Sequence, residues 1–71
     1  MTGPDASVLV NGRAEALAPG ATVGSLVAAH VASPRGVAVA VNEEVVPRSA
    51  WPTTRLAAGD RVEILTAAQG G

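Results

Sequence analysis

Only one stretch of this chain spaces its apolar residues as a helix does. On both sides of it lie short segments in which apolar residues occur at every second position, as in a β-strand. Residues at i, i+3, i+4, i+7 and i+8 form a single apolar stripe, which comprises Val23, Leu26, Val27, His30 and Val31. Thr22 is suited to cap the N-terminus, and Pro34 cannot continue the helix. The predicted helix has about ten residues, too few to be stable alone in water. It therefore needs a sheet to pack against.

Five runs predict the strands of that sheet. Residues 7–10 form a short strand that ends at the turn dipeptide Asn11-Gly12, and residues 13–17 return as a weak edge strand. The remaining predicted strands are residues 37–41, 45–46 and 61–66. Residues 53–56 are expected to run back along the sheet.

The order strand, strand, helix, strand, strand, strand predicts an α+β domain of the β-grasp (ubiquitin-like) type. We expect a mixed sheet of four to five strands with the one helix packed on one face. The chain has no internal repeat and no linker, so residues 1–71 form one domain. Residues 1–5 and 67–71 offer little to bury and are expected to be flexible.

The composition argues against several classes of function. The chain has no cysteine and one histidine, which argues against disulfides, thiolate metal sites, a metal centre and a Ser/His/Asp triad, so we predict no catalytic residue and no bound metal or cofactor. Its five basic residues are scattered arginines, and its formal net charge is −1, which argues against nucleic-acid binding. No apolar run is long enough to cross a membrane and no signal peptide is visible, so a cytoplasmic protein is expected.

The C-terminal segment, residues 67–71, has two interpretations. Because chain ends commonly fray, it is compatible with an inert terminus. Alternatively, a Gly70-Gly71 end has no Cβ to block approach to its carboxylate and can enter a narrow channel. An extended segment after Thr66 would reach ~15 Å from the folded domain, far enough to enter a partner's active site.

Two further side chains have competing interpretations. His30 lies on the apolar stripe near the helix C-terminus, where it is expected to fill the edge of the core and cap nearby carbonyls rather than act in catalysis. Trp51 is expected to cover one end of the core, with an anchor in a partner interface as the alternative.

Three segments together resemble the ThiS family, the bacterial sulfur carrier proteins of thiamine biosynthesis. They are residues 10–12 (Val-Asn-Gly), residues 41–51 (Val-Asn-x-x-x-Val-Pro-Arg-x-x-Trp), and residues 59–64 (Gly-Asp-x-Val-Glu-Ile) running to Gly70-Gly71. The last of these is shared with other β-grasp sulfur carriers, whereas residues 41–51 point to the thiamine branch. The resemblance covers essentially the whole chain after Asp5.

The resemblance implies a protein substrate and not an enzyme. A ThiF-type adenylyltransferase, related to ubiquitin-activating enzymes, would use ATP to convert Gly71 to an acyl adenylate. A sulfur-donating enzyme would then supply sulfur for a thiocarboxylate on Gly71, and a ThiG-type thiazole synthase would take that sulfur into the thiazole ring. In this scheme Ala67, Ala68, Gln69 and Gly70 would thread the partner's active site, and the free carrier is expected to be a monomer.

The fold that the resemblance implies also suggests a docking surface. If the first and last strands are neighbours, Val8, Val10, Val62 and Ile64 face the helix, while Leu9 and Leu65 lie on the other face with Ala38 and Ala40. We therefore expect Leu9 and Leu65 to form a small apolar patch beside the C-terminal segment. Scattered surface leucines are the ordinary alternative.

Two other functions compete with the thiamine carrier. The small subunit of molybdopterin synthase, or another β-grasp sulfur carrier, delivers sulfur from the same kind of terminus. Against the molybdopterin synthase subunit, this chain is short, has no phenylalanine and carries the thiamine-type segment 41–51. A non-catalytic β-grasp interaction module with an inert C-terminal segment is the alternative from a different class.

Overall fold

The computed structural model describes residues 6–66 of the chain. The two segments predicted to be flexible, residues 1–5 and 67–71, lie outside the described residues. The elements in chain order are β1 (Ser7–Val10), β2 (Arg13–Ala16), α1 (Val23–His30), β3 (Val37–Val41), β4 (Glu44–Val46), a 3-10 helix (Arg48–Thr53) and β5 (Arg61–Thr66).

The five strands form one mixed sheet in the order β2-β1-β5-β3-β4. The β1 and β5 strands run parallel, with Leu9 opposite Arg61 and Val10 opposite Val62. All other neighbouring strands are antiparallel. The predicted β-grasp arrangement is therefore confirmed, and the predicted weak strand β2 lies at an edge.

The core lies between the sheet and α1 and is almost entirely aliphatic. Alternate residues of β1 and β5 point into it, as the two-residue spacing predicted. The buried core residues are Val8, Val10, Val23, Val27, Val39, Trp51, Leu56, Val62 and Ile64. The four residues predicted to face the helix, Val8, Val10, Val62 and Ile64, are all among them.

The helix α1 begins where the sequence predicted and ends earlier. Thr22 accepts a hydrogen bond from the Ser25 backbone N–H at 3.1 Å, and the Ser25 hydroxyl accepts one from the Thr22 N–H at 2.9 Å, so the two residues form a capping box. The helix has eight residues and not ten, because Val31 has already turned to an extended backbone with φ −132° and ψ 150°. Pro34 also disfavours the helical region for Ser33, so the helix could not have continued far beyond Val31.

Residues 53–56 do not run back along the sheet, so that prediction was wrong. Their one strand-like contact in the described chain is an isolated bridge between Arg55 and Thr22. The Val23 N–H donates to the Thr54 carbonyl at 2.9 Å, and the Leu56 N–H donates to the Ala21 carbonyl at 3.0 Å. This segment therefore ties the start of α1 to the loop before β5, and buries Leu56, instead of adding a strand.

Within residues 6–66, α1 is the longest helix, and neither it nor any other described helix has the length and apolar content to span a bilayer.

Candidate functional site

The residues for which the sequence makes the most specific functional prediction lie outside the described part of the chain. They are the predicted site of modification, Gly71, and the residues predicted to thread a partner's active site, Ala67, Ala68, Gln69 and Gly70. The structure instead describes the place where this segment begins, which is the end of β5.

β5 is the central strand of the sheet, and it continues past its parallel neighbour. On the β3 side its pairing extends to its last residue, where Thr66 lies opposite Val37. On the β1 side the strand ladder stops at Val10 opposite Val62. The last residues of β5 are therefore paired with a strand on one side only.

The outer face of the sheet, on the side away from α1, carries an apolar patch beside the end of β5. Leu65 lies opposite Ala38, and Val45 lies opposite Ala40. Because side chains two residues apart share a face of a strand, all four lie on the same face. Leu65 is 62% exposed and Val45 is 77% exposed, while Ala38 and Ala40 lie between them. We call Leu65, Ala38, Ala40 and Val45 the outer apolar patch.

Leu9 does not belong to this patch, so the predicted pairing of Leu9 with Leu65 was wrong. Both side chains are on the outer face as predicted, and Leu9 is 39% exposed. However, Leu9 lies opposite Arg61, at the start of β5, and four residues of strand correspond to ~13 Å. The charged residues Arg61 and Glu63 occupy the strand between them. The alternation in the sequence correctly predicted which face of the sheet carries Leu9 and Leu65. It did not predict how far apart the two lie along that face, because this distance depends on the register of the paired strands.

Val45 was not predicted as part of this surface. The alternation of Val45 and Val46 in a returning strand was a usable signal, since only one of two successive side chains can point into the core. In the structure Val46 packs against the core and Val45 is exposed.

Trp51 lies in the core, as the first of its two interpretations predicted. Its side chain is 5% exposed, and its indole Nε1–H donates to the Val46 carbonyl at 2.9 Å. A side chain buried in this way covers one end of the core and leaves almost no surface to anchor a partner.

The His30 side chain bonds a carboxylate and not a nearby carbonyl, so its prediction as a carbonyl cap was wrong. Its Nε2 lies 2.9 Å from Glu15 Oε1 on the edge strand β2, and both side chains are about one-third exposed. The apolar stripe placed His30 on the sheet-facing side of α1, and from there the imidazole reaches the Glu15 carboxylate on β2.

Two asparagines hold β5 through their side chains, and the sequence indicated only that each lies in a turn. Asn11 and Asn42 both follow a strand adjacent to β5, and both have φ of 51°, a left-handed conformation that asparagine tolerates. Asn11 Oδ1 accepts from the Ile64 N–H at 2.9 Å, and Asn11 Nδ2 donates to the Ile64 carbonyl at 3.2 Å.

Asn42 makes the corresponding contacts at the other end of β5. Its Oδ1 accepts from the Arg61 N–H at 2.9 Å, and its Nδ2 donates to Asp60 Oδ1 at 3.0 Å. The other Asp60 oxygen accepts from the Ala57 N–H at 2.8 Å. The turn after β3 and the loop before β5 are therefore joined by side chains.

Among residues 6–66 no cluster of three or more histidine, cysteine, aspartate or glutamate side chains is placed to hold a metal ion. A cavity of about 360 Å³ lies between α1 and the 3-10 helix, with Val27, Val31 and Trp51 in its lining and Arg48 among its polar groups. It is formed by segments distant in sequence, which is why no local pattern predicted it.

The comparisons with known proteins agree with the geometry. The model of the ThiS family matches residues 8–71. A crystal structure of the thiamine biosynthesis protein ThiS from Geobacter metallireducens is 35% identical, with a TM-score of 0.76, covering 92% of this chain and 99% of that chain. No match was found among curated protein sequences.

Proposed function

Because the chain belongs to the ThiS family, we propose that it is a sulfur carrier of thiamine biosynthesis whose reactive group is the carboxylate of Gly71. The observation that supports this most directly is that the family match extends over residues 8–71 and so includes Gly70-Gly71. In this proposal the folded domain is a protein co-substrate that other enzymes recognise, and it supplies no catalytic group of its own.

The proposed chemistry begins with activation, because a carboxylate is a poor electrophile. One oxygen of the Gly71 carboxylate attacks the α-phosphorus of ATP, which releases pyrophosphate and leaves an acyl adenylate. A sulfur nucleophile from a donor enzyme then attacks the acyl carbon and AMP departs. When that nucleophile is a persulfide of the donor, the product is an acyl disulfide. Attack of a second thiol on the donor's sulfur then forms a disulfide with the donor and leaves a thiocarboxylate on Gly71. A thiazole synthase of the ThiG type would accept this sulfur.

The composition supports the assignment of this chemistry to the terminus. The chain has no cysteine, so it has no thiol on which to hold sulfur as a persulfide. The ATP would be bound and consumed by a ThiF-type adenylyltransferase, and we place the whole sequence of reactions in the cytoplasm. We also propose that the free carrier is a monomer.

We further propose that the outer apolar patch docks on these enzymes. Leu65 directly precedes the last residue of β5, so a partner that covers Leu65 is adjacent to the point where residues 67–71 begin. Burial of an exposed leucine and valine at ~25 cal/mol per Å² contributes a few kcal/mol to association. Leu9 is too far along the sheet to share this contact, and Trp51 is too deeply buried.

The experiment that tests the proposal is an intact-mass measurement after stepwise reaction. The purified chain is incubated with ATP and the candidate adenylyltransferase from the same genome, and then with the sulfur donor. We expect an AMP adduct first, and then a species in which one oxygen is replaced by sulfur. Fragmentation should place both changes on Gly71.

Deletion of Gly71 is the matched control. We expect it to abolish both products and to leave the melting temperature unchanged, because residues 67–71 contain only small residues and one glutamine. Absence of an AMP adduct on the wild-type chain with an active enzyme would contradict the carrier function. A large loss of stability on deletion would instead indicate that the terminus is structural.

A further inference from the structure

The side chain of Asn11 makes the hydrogen bonds to β5 that the backbone of a further β1 residue would otherwise make. After Val10 the backbone turns away through Asn11 and Gly12, which have φ of 51° and 85°. The Asn11 N–H still donates to the Val62 carbonyl at 2.9 Å, but no backbone group of β1 reaches Ile64. Without a substitute, the Ile64 amide and carbonyl on that side would have no partner.

A primary carboxamide suits this position because it carries one donor and one acceptor, as a peptide group does. Oδ1 takes the Ile64 N–H at 2.9 Å and Nδ2 meets the Ile64 carbonyl at 3.2 Å. Ile64 itself is 7% exposed, so its backbone groups are partly shielded from water, which would otherwise compete for these bonds. An aspartate of the same size would keep the acceptor and lose the donor.

The position of this contact connects it to function. Ile64 is followed by two residues of β5, Leu65 and Thr66, and these are held on the β3 side by pairing with Ala38 and Val37. Among the described residues, the Asn11 side chain makes the last contact to the β5 backbone from the β1 side. It therefore limits the movement of the strand end that carries Leu65 and leads into residues 67–71.

We propose that Asn11 is a positioning residue, which holds the end of β5 so that Gly71 is delivered to the activating enzyme in a reactive position. This inference rests on the proposed function. Asn11 touches neither ATP nor the reacting carboxylate in this proposal and acts only through Ile64. Small displacements of a reacting group lower the rate of a positioned reaction steeply, so the effect should be on turnover more than on affinity.

The chain supplies a matched control in Asn42. It has the same φ of 51°, and its carboxamide also forms a hydrogen bond with the β5 backbone. That bond is at Arg61, at the opposite end of β5. Glycine tolerates this backbone conformation, so Asn11→Gly and Asn42→Gly each remove a side-chain contact without straining the turn. Both variants should lose stability to a similar extent.

The test is ATP–pyrophosphate exchange by the purified adenylyltransferase with each full-length carrier, at a temperature where circular dichroism shows all variants folded. We expect Asn11→Gly to lower kcat about tenfold with a smaller change in KM, and Asn42→Gly to stay within about twofold of wild type. Asn11→Asp, which keeps the size of the side chain but not its donor, should resemble Asn11→Gly.

Amide hydrogen exchange measured by NMR supplies a readout that does not depend on the partner. The Ile64 amide should exchange about tenfold faster in Asn11→Gly than in Asn42→Gly, which has a similar loss of global stability. Normal turnover by Asn11→Gly despite faster Ile64 exchange would overturn the inference, as would equal losses of turnover in the two glycine variants or unchanged Ile64 exchange. Failure of the wild-type chain to support exchange would instead overturn the proposed function, and the inference with it.

Discussion

Trp51 shows how much one residue contributes to a core with no other aromatic side chain. The chain contains no phenylalanine or tyrosine, and the other eight buried core residues are valine, leucine and isoleucine. The indole fills the end of the core near the 3-10 helix, and its Nε1–H satisfies the Val46 carbonyl at the end of β4. A single side chain thus joins the edge strand to the core by packing and by a hydrogen bond.

At the residue scale, substitution of two glycines by alanine should change the free energy of unfolding in opposite directions. A Cβ on Gly24, in the first turn of α1, would lie 3.5 Å from Trp51 backbone atoms, an ordinary contact distance. We expect Gly24→Ala to raise the free energy of unfolding by about 0.5 kcal/mol, because alanine loses less backbone entropy in a helix. Urea denaturation followed by circular dichroism would measure this.

Gly59→Ala is the control for this prediction. Within residues 6–66, no atom apart from those of its chain neighbours lies within 4 Å of an added Cβ at Gly59, but its φ is +88°. Alanine in this conformation is strained, so we expect a loss of about 1 kcal/mol in the same experiment. If Gly24→Ala destabilised the protein as much as Gly59→Ala, the contact with the 3-10 helix would be tighter than an ordinary van der Waals contact.

At the scale of secondary-structure elements, β5 combines three roles in six residues. Its inner face supplies Val62 and Ile64 to the core, its outer face carries Leu65, and its end is the start of the C-terminal segment. Alternation separates the first two roles, since successive side chains point to opposite faces. A substitution at Leu65 can therefore change recognition without changing the core.

We expect Leu65→Glu to weaken binding of the adenylyltransferase by about tenfold or more, because a carboxylate would enter the apolar contact. The fold should be unaffected, since Leu65 is 62% exposed. Isothermal titration calorimetry would measure the affinity, and circular dichroism the fold.

Leu9→Glu places the same charge on the same face, beside Arg61 instead of beside Ala38. We expect this control to bind within about twofold of wild type, since its position is ~13 Å from Leu65 along the strand. Equal weakening by both substitutions would show that the docking surface spans the whole outer face. Unchanged affinity of Leu65→Glu would remove the outer apolar patch from the docking surface.

At the scale of the whole molecule, the sheet consists of two hairpins that meet only through β5. β1 and β2 form one hairpin and β3 and β4 form the other, and β5 pairs with both. The parallel pair of β1 and β5 joins segments about 50 residues apart, whereas each hairpin is local. The fold is therefore complete only when the last strand has been inserted.

Two truncations test this dependence on β5. A chain that ends at Thr66 should keep the circular dichroism spectrum and melting temperature of the full chain. A chain that ends at Asp60 should be unfolded, because isolated two-stranded hairpins are marginal in water and the core loses Val62 and Ile64. Cooperative unfolding of the shorter chain would contradict this role of β5.

Local patterns were sufficient for the five strands, for α1 and for the face on which most side chains lie, but not for the 3-10 helix Arg48–Thr53. The two-residue spacing of β1 and β5, the apolar stripe of α1 and the Asn-Gly turn each reflect interactions within a few residues, so they can be read without knowing the fold. The Gly70-Gly71 end and the segment 41–51 were likewise sufficient to suggest the family, which the comparisons confirmed.

Contacts between distant segments depended on register, and no local pattern encodes register. The separation of Leu9 from Leu65 and the apolar patch with Val45 follow from how the strands are aligned. The bridge of residues 53–56 to Thr22 follows instead from the contact of that segment with the start of α1. Asn11 is the clearest case. Its sequence context predicts a turn because that preference is local, whereas its carboxamide reaches Ile64, 53 positions away, only after β5 has paired beside β1.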